Sequence, residues 1–177
     1  MSAAKPALLV IDAQVAIFQE CFGSEGVIQR IAALLAAARA AGAPVIFVQH
    51  NEPQYPQMSI GADGWAIHPA IAPLQGEPTV DKQASDSFCQ TPLGEILQGL
   101  GVEEVVICGL QTDFCVDATC RSALSHGYGV TLASDAHTTG DGAISAAKSI
   151  AHHNYVLAGL AHPDRKISVI PAAQISF

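Results

Sequence analysis

Short apolar runs alternate with longer stretches of helical periodicity along the whole chain, and nothing else in the sequence narrows the fold as much. The first run, Ala7-Leu8-Leu9-Val10-Ile11, offers no polar residue to water, as expected of a parallel strand covered on both faces. Residues 27–41 follow, with Ile28, Ile31, Leu34, Leu35 and Ala38 at helical spacing and Gly42 as a stop. Further strands are expected at 45–48, 79–81, 105–108, 130–133 and 167–170, and further helices near 93–100, 114–126 and 142–154. Residues 49–78, rich in Pro, Gly, Gln and Asn, form a long excursion, and loops of that length are usually functional. The repeated β-then-α order predicts a three-layer α/β fold: a mostly parallel sheet of about six strands with helices on both faces.

A length of 177 residues fits one domain over 1–177, and an apolar content of 50% is enough to fill a core. Charged residues make up 14%, against roughly 25% in ordinary soluble domains. Eight basic residues oppose sixteen acidic ones, for a formal charge of −8, and no Lys/Arg cluster occurs. Nucleic acid and anionic membranes are therefore excluded as expected partners, and the low charge fits a homo-oligomer with faces withdrawn from water. Five cysteines with no CxxC pair read as reduced thiols. The apolar run at 7–11 is too short for a leader, and no stretch approaches the ~20 residues of a membrane span. A cytoplasmic protein is expected.

Doubly wound sheets place ligands at the carboxyl ends of their strands. Those positions hold Asp12, His50, Lys82, the turn from Gly109 to Cys115, and Asp135. Cys115 lies just inside an expected helix, where unpaired backbone N–H groups and the dipole favour thiolate and can hold an oxyanion. Two readings stand for it: a nucleophile, or a small packed hydrophobe. Cys108, in a strand, and Cys120, in mid-helix, are expected to be buried. Asp12 is either an N-cap or Asx turn at the strand exit, or a base that takes the thiol proton and returns it to a leaving group. Lys82 is either a solvated loop lysine or a cation that lowers the pKa of Asp12 and Cys115.

The blocks Leu9-Val10-Ile11-Asp12-Ala13-Gln14, Val80-Asp81-Lys82 with Asp86-Ser87-Phe88, and Cys108-Gly109-Leu110-Gln111-Thr112-Asp113-Phe114-Cys115-Val116 occur in this order, each at a strand end. In them, and in Ser134-Asp135-Ala136 further on, the chain resembles the isochorismatase-like cysteine hydrolase superfamily over nearly its whole length. The resemblance implies a catalytic triad of Asp12, Lys82 and Cys115, with a thioester acyl-enzyme that water then hydrolyses. It also implies a cis peptide between Leu110 and Gln111, and oxyanion donors in the backbone N–H groups of Gln111 and Cys115. Thr112 and Asp113 are expected to cap the following helix.

Nicotinamidases of this superfamily add a metal site built from an Asp and several His after the second strand. Here that segment reads Gln49-His50-Asn51-Glu52-Pro53, with no Asp-x-His pair, and His68 is the only other His of the excursion. No metal is expected, and no P-loop, GxGxxG or HExxH motif calls for a cofactor. Gly64-Trp65-Ala66-Ile67-His68-Pro69 resembles the substrate loop of the metal-free amidohydrolase-type subgroup. Phe18, His50 and Trp65 are the candidate pocket residues. The remaining histidines, His137 among them, are assigned solvated or helix-end roles. The resemblance favours a carbon–nitrogen bond of a small amide-like substrate. Vinyl-ether hydrolysis of the isochorismatase type, and a non-catalytic thiol sensor or binding protein on the same scaffold, remain as alternatives.

Overall fold

Six strands pair side by side: β1 (Ala7–Ile11), β2 (Val45–His50), β3 (Thr79–Lys82), β4 (Glu104–Leu110), β5 (Gly129–Thr138) and β6 (Ile167–Ile170). They build one all-parallel sheet in the order β3-β2-β1-β4-β5-β6, the Rossmann-like order. This computed structural model describes residues 6–177, so the leader reading of residues 1–5 falls outside it. Five helices cover the sheet: α1 (Val15–Glu20), α2 (Ser24–Ala41), α3 (Leu93–Gly99), α4 (Asp117–Ser125) and α5 (Ala146–Ala158). Among the described residues, no helix is long and apolar enough to cross a membrane.

Every residue of β1 is buried, which is why its sequence shows no alternation. Leu9 and Ile11 point into one core with Ile107, Leu93, Leu97, Leu124 and Leu157, under α3, α4 and α5. Leu8 and Val10 point the other way, toward Phe18, Ile31, Leu34 and Leu35 of α1 and α2. The expected three-layer architecture is thus the one observed, with each fully buried Leu or Ile contributing about 1.5–3 kcal/mol by leaving water.

Strand order reverses where β1 lies beside β4, and this switch point opens a crevice at the carboxyl ends of both strands. Gly109 lets those ends close up. It pairs with Ile11, holds φ at +121°, and a Cβ there would collide with the Ile11 carbonyl. The chain therefore delivers Asp12 from β1 and residues 111–115 from β4 to neighbouring points.

Several elements depart from the sequence expectation, three of them with a clear local cause. Helix α1 has no counterpart in it, because six residues with one buried side chain give too little periodicity to register. Strand β5 runs on past Ala133 to Thr138, since the register with β4 shifts between Ile107 and Gly109 and accommodates the polar Ser134 and Asp135. Helix α5 begins at Ala146 rather than near 142, the Ala146 N–H being taken by the Asp141 carboxylate at 2.8 Å.

Candidate active site

Asp12 leaves β1 with φ at +46°, a left-handed conformation that Asp tolerates better than most side chains. Lys82 ends β3 directly opposite His50 of β2, so that both side chains leave the same face of the sheet. Cys115 is the fourth residue of a π-helical turn, Thr112–Val116, that runs from β4 into α4. Single π turns of this kind recur at functional sites. The turn follows a cis Leu110–Gln111 peptide, and the Phe114 and Val116 N–H groups both bond the Gln111 carbonyl, at 3.2 and 3.1 Å.

These elements converge on the Lys82 ammonium. Its Nζ lies 2.8 Å from Asp12 Oδ2, with side-chain exposures of 0% and 1% for the pair. The same Nζ donates to Cys115 Sγ at 3.1 Å and to the Ala84 carbonyl at 3.0 Å, and stands 3.2 Å from His50 Nδ1. Burial opposes this charge, but Asp12 and Cys115 outweigh it and hold the Lys82 pKa above its usual value. His50 goes the other way: burial and the adjacent ammonium push its pKa down, so it stands neutral.

The Cys115 thiol does not follow the sequence expectation. Burial first, and the Asp12 carboxylate second, push it up to about 12, with Lys82 offsetting only part of that. Charge counting gives the reason. An Asp12 carboxylate already balances the one ammonium, so a second anion at Sγ would leave the buried group with a net negative charge. The resting state is therefore carboxylate, ammonium and thiol. Passing the thiol proton to Asp12 keeps the buried charge at zero, so a thiolate can form at Cys115 without a net desolvation penalty.

An Asp12 carboxylate oxygen, a His50 ring nitrogen and Cys115 Sγ lie within 4.8 Å of one another, a spacing suited to a metal ion. All three groups, however, converge on Lys82 Nζ at 2.8 to 3.2 Å. The ammonium fills the place a cation would take, so this set does not fit a metal centre.

A cleft of about 820 Å³ opens above these groups, lined among others by Asp12, His50, Gln111 and Cys115. Phe18 and Trp65 do not line it. Successive residues of a helix point about 100° apart, so Ile17 faces the cleft while Phe18 is 5% exposed and meets the His68 ring edge-on. Trp65 contributes its backbone, accepting hydrogen bonds from Gln14 and Gln49 side chains at 2.8 and 3.0 Å. His68 turns its Nδ1 to the Ala70 N–H at 3.3 Å. Asp135 is tied to Arg30 at 3.1 Å and to the Ala172 N–H at 2.8 Å.

Thr112 and Asp113 cap nothing, because the π turn draws both side chains toward β5 instead. Thr112 Oγ1 is 2.8 Å from His137 Nδ1, and Thr139 Oγ1 donates to Asp113 at 2.6 Å. His137 is not a solvated histidine: it is 1% exposed, and its Nε2 donates to Asn154 at 2.9 Å. The sequence reading also passed over Gln14, which is fully buried. It donates to the His50 and Trp65 carbonyls at 3.0 and 2.8 Å and accepts from the His50 N–H at 2.8 Å, clamping the excursion onto the site. A Gln two residues after a strand-end Asp was the signal available for it.

The isochorismatase-domain family model matches residues 6–161. Streptothricin hydrolase of Streptomyces noursei is 38% identical over 138 residues, 76% of this chain and 55% of that protein. Ureidoacrylate amidohydrolase RutB of Methylobacterium radiotolerans is 30% identical over 148 residues, 67% and 57% of the two chains. The chain thus spans a little over half the length of these relatives. A crystal structure of a cysteine hydrolase from Pseudomonas syringae pv. phaseolicola superimposes with a TM-score of 0.87 at 25% identity, covering 96% of this chain and 90% of that one. The chain belongs to the isochorismatase family of the cysteine hydrolase superfamily.

Proposed function

We propose that the protein hydrolyses a carbon–nitrogen bond of a small amide-like substrate through an acyl-enzyme on Cys115. The observation that carries this reading is Lys82 Nζ, shared at 2.8 Å by Asp12 and at 3.1 Å by Cys115 on the floor of the cleft. Attack of Sγ on the substrate carbonyl carbon sends the thiol proton to Asp12, while Lys82 keeps the buried charge balanced throughout. The carbonyl oxygen becomes an oxyanion facing the backbone N–H groups of Gln111 and Cys115. Collapse breaks the carbon–nitrogen bond, Asp12 gives its proton to the departing nitrogen, and a thioester remains on Cys115. Water then loses a proton to Asp12 and attacks the thioester. The acid leaves, and Sγ recovers the proton.

Two named relatives, a streptothricin hydrolase and a ureidoacrylate amidohydrolase, support the choice of substrate class. A panel of small amides, imides and ureas, assayed for ammonia release beside a Cys115→Ala variant of unchanged circular dichroism, tests the proposal. Release that disappears in the variant is expected. An unchanged rate in the variant overturns it.

A further inference from the structure

The hydrolytic chemistry leaves two carboxylates of the cleft unused. Glu20, the last residue of α1, and Glu52, just after β2, both line it. Among the described residues the Glu20 side chain has no ion-pair partner. Glu52 Oε2 lies 3.6 Å from His50 Nε2, but that imidazole is held neutral by burial and by Lys82. Lys82 itself is closed off, with its charge taken up by Asp12. No Arg or other Lys lines the cleft among the described residues. Its lining therefore carries two carboxylates with no cationic side chain beside them, on a chain whose net charge is −8.

Two further features point to what fits there. Tyr55 and Phe114, 60% and 56% exposed, stand on the cleft walls as aromatic surfaces. On the floor, Asp12 also lines the cleft, and its buried Oδ1 takes no hydrogen bond from any nitrogen or hydroxyl of the protein, leaving the Cys115 thiol as the donor nearest to it.

Resting on the amide-hydrolysis reading above, we propose that the cleft selects cationic amides. An ammonium or guanidinium group of the substrate is held by Glu20 and Glu52 beside the aromatic faces, while the amide carbonyl reaches Cys115 and an amide N–H meets Asp12 Oδ1. Carboxylate-bearing substrates are repelled by the same pair of charges.

Charged thiol reagents test this without requiring turnover. The trimethylammonioethyl and sulfonatoethyl methanethiosulfonates share one reacting group and carry opposite charges. Each transfers its alkylthio group to Sγ and releases methanesulfinate. Their rates at Cys115 are read by peptide mass in a Cys89→Ser background, Cys89 being exposed and outside the cleft lining. Relative to a free small thiol, the cation-to-anion rate ratio is expected to rise on the order of tenfold at low salt, and to collapse in 0.5 M salt and in Glu20→Gln/Glu52→Gln protein. A ratio equal to that of the free thiol, or one unmoved by the double variant, overturns the proposal.

Matched cationic, neutral and anionic primary amides supply the second readout. KM is expected to be lowest for the cation, and the double variant to raise it on the order of tenfold relative to the neutral amide. Turnover of all three with equal KM defeats the charge assignment and leaves the amidase reading standing. If none of the three is hydrolysed, the amidase reading fails, and the reagent ratio still decides the charge assignment.

Discussion

Replacing Lys82 by Met removes one charge and little volume from the centre of the site, so its effect isolates the ion pair. At 2.8 Å and an effective dielectric near 20, the attraction to Asp12 is about 6 kcal/mol before desolvation. In Lys82→Met the Asp12 carboxylate stays 1% exposed and loses its only cation. Removing one partner of such a buried pair costs about 3–5 kcal/mol, and that loss is expected in urea unfolding followed by circular dichroism at pH 8.

Protonating Asp12 relieves the orphaned charge. The native variant then binds a proton that its unfolded chain does not, so its deficit shrinks as the pH falls from 8 to 5. The Asp12→Asn/Lys82→Met double variant buries no charge at all and should regain at least half of the lost stability. A Lys82→Met deficit below about 1 kcal/mol, or a double variant as unstable as the sum of the single ones, would refute the coupling.

Other consequences follow from the same geometry. Asp12→Asn removes the second largest influence holding the Cys115 thiol at about 12 and leaves Lys82 beside it. Iodoacetamide should then alkylate Cys115 faster at pH 8 while hydrolysis falls about 10²–10⁴-fold, and slower alkylation would count against Asp12 as the balancing anion. Burial pushes Cys21 up to about 11 and Cys115 to about 12, and raises Cys108 and Cys120 as well. Above the usual thiol value of about 8.5 the unfolded chain loses protons that the native state keeps, so Tm should fall as the pH rises from 8.5 to 11. The fall should be shallower in Cys108→Ala, and a flat Tm contradicts the buried thiols. His137→Ala strands Thr112 Oγ1 and Asn154 Oδ1, which calorimetry should show as a loss of about 1–3 kcal/mol, accompanied by a lower kcat from a loosened Cys115 turn. An unchanged kcat would separate His137 from the positioning of the nucleophile.

The strands, and the strand-end positions of Asp12, Lys82 and Cys115, were legible from local chemistry, which left a structural and a functional role open for each of the three. An apolar run that stops at Asp12, or a turn that opens a helix at Cys115, can be read within a few residues. Their meeting at one ammonium depends on the strand order, which local pattern does not contain, and it was the resemblance to a family that implied it. Where a reading needed three-dimensional surroundings, it missed. Phe18 and Ile17 are equally apolar, and only the orientation of α1 buries one in the core and leaves the other at its edge, lining the cleft. The thiol of Cys115 was expected to be lowered by a helix start and a lysine, but burial and the balancing Asp12 decide otherwise. Glu20, Glu52 and His137 sit in undistinguished contexts, and only the closure of the fold brings the first two to the cleft and the third to the Cys115 turn.

The most direct test of the account is mass spectrometry of protein quenched during turnover of a hydrolysed amide. A covalent acyl group is expected on the peptide containing Cys115, with the mass of the substrate less its amine, and absent from Cys115→Ala. Hydrolysis at the wild-type rate with no adduct on that peptide, or continued turnover by Cys115→Ala, would contradict a nucleophilic role for this thiol.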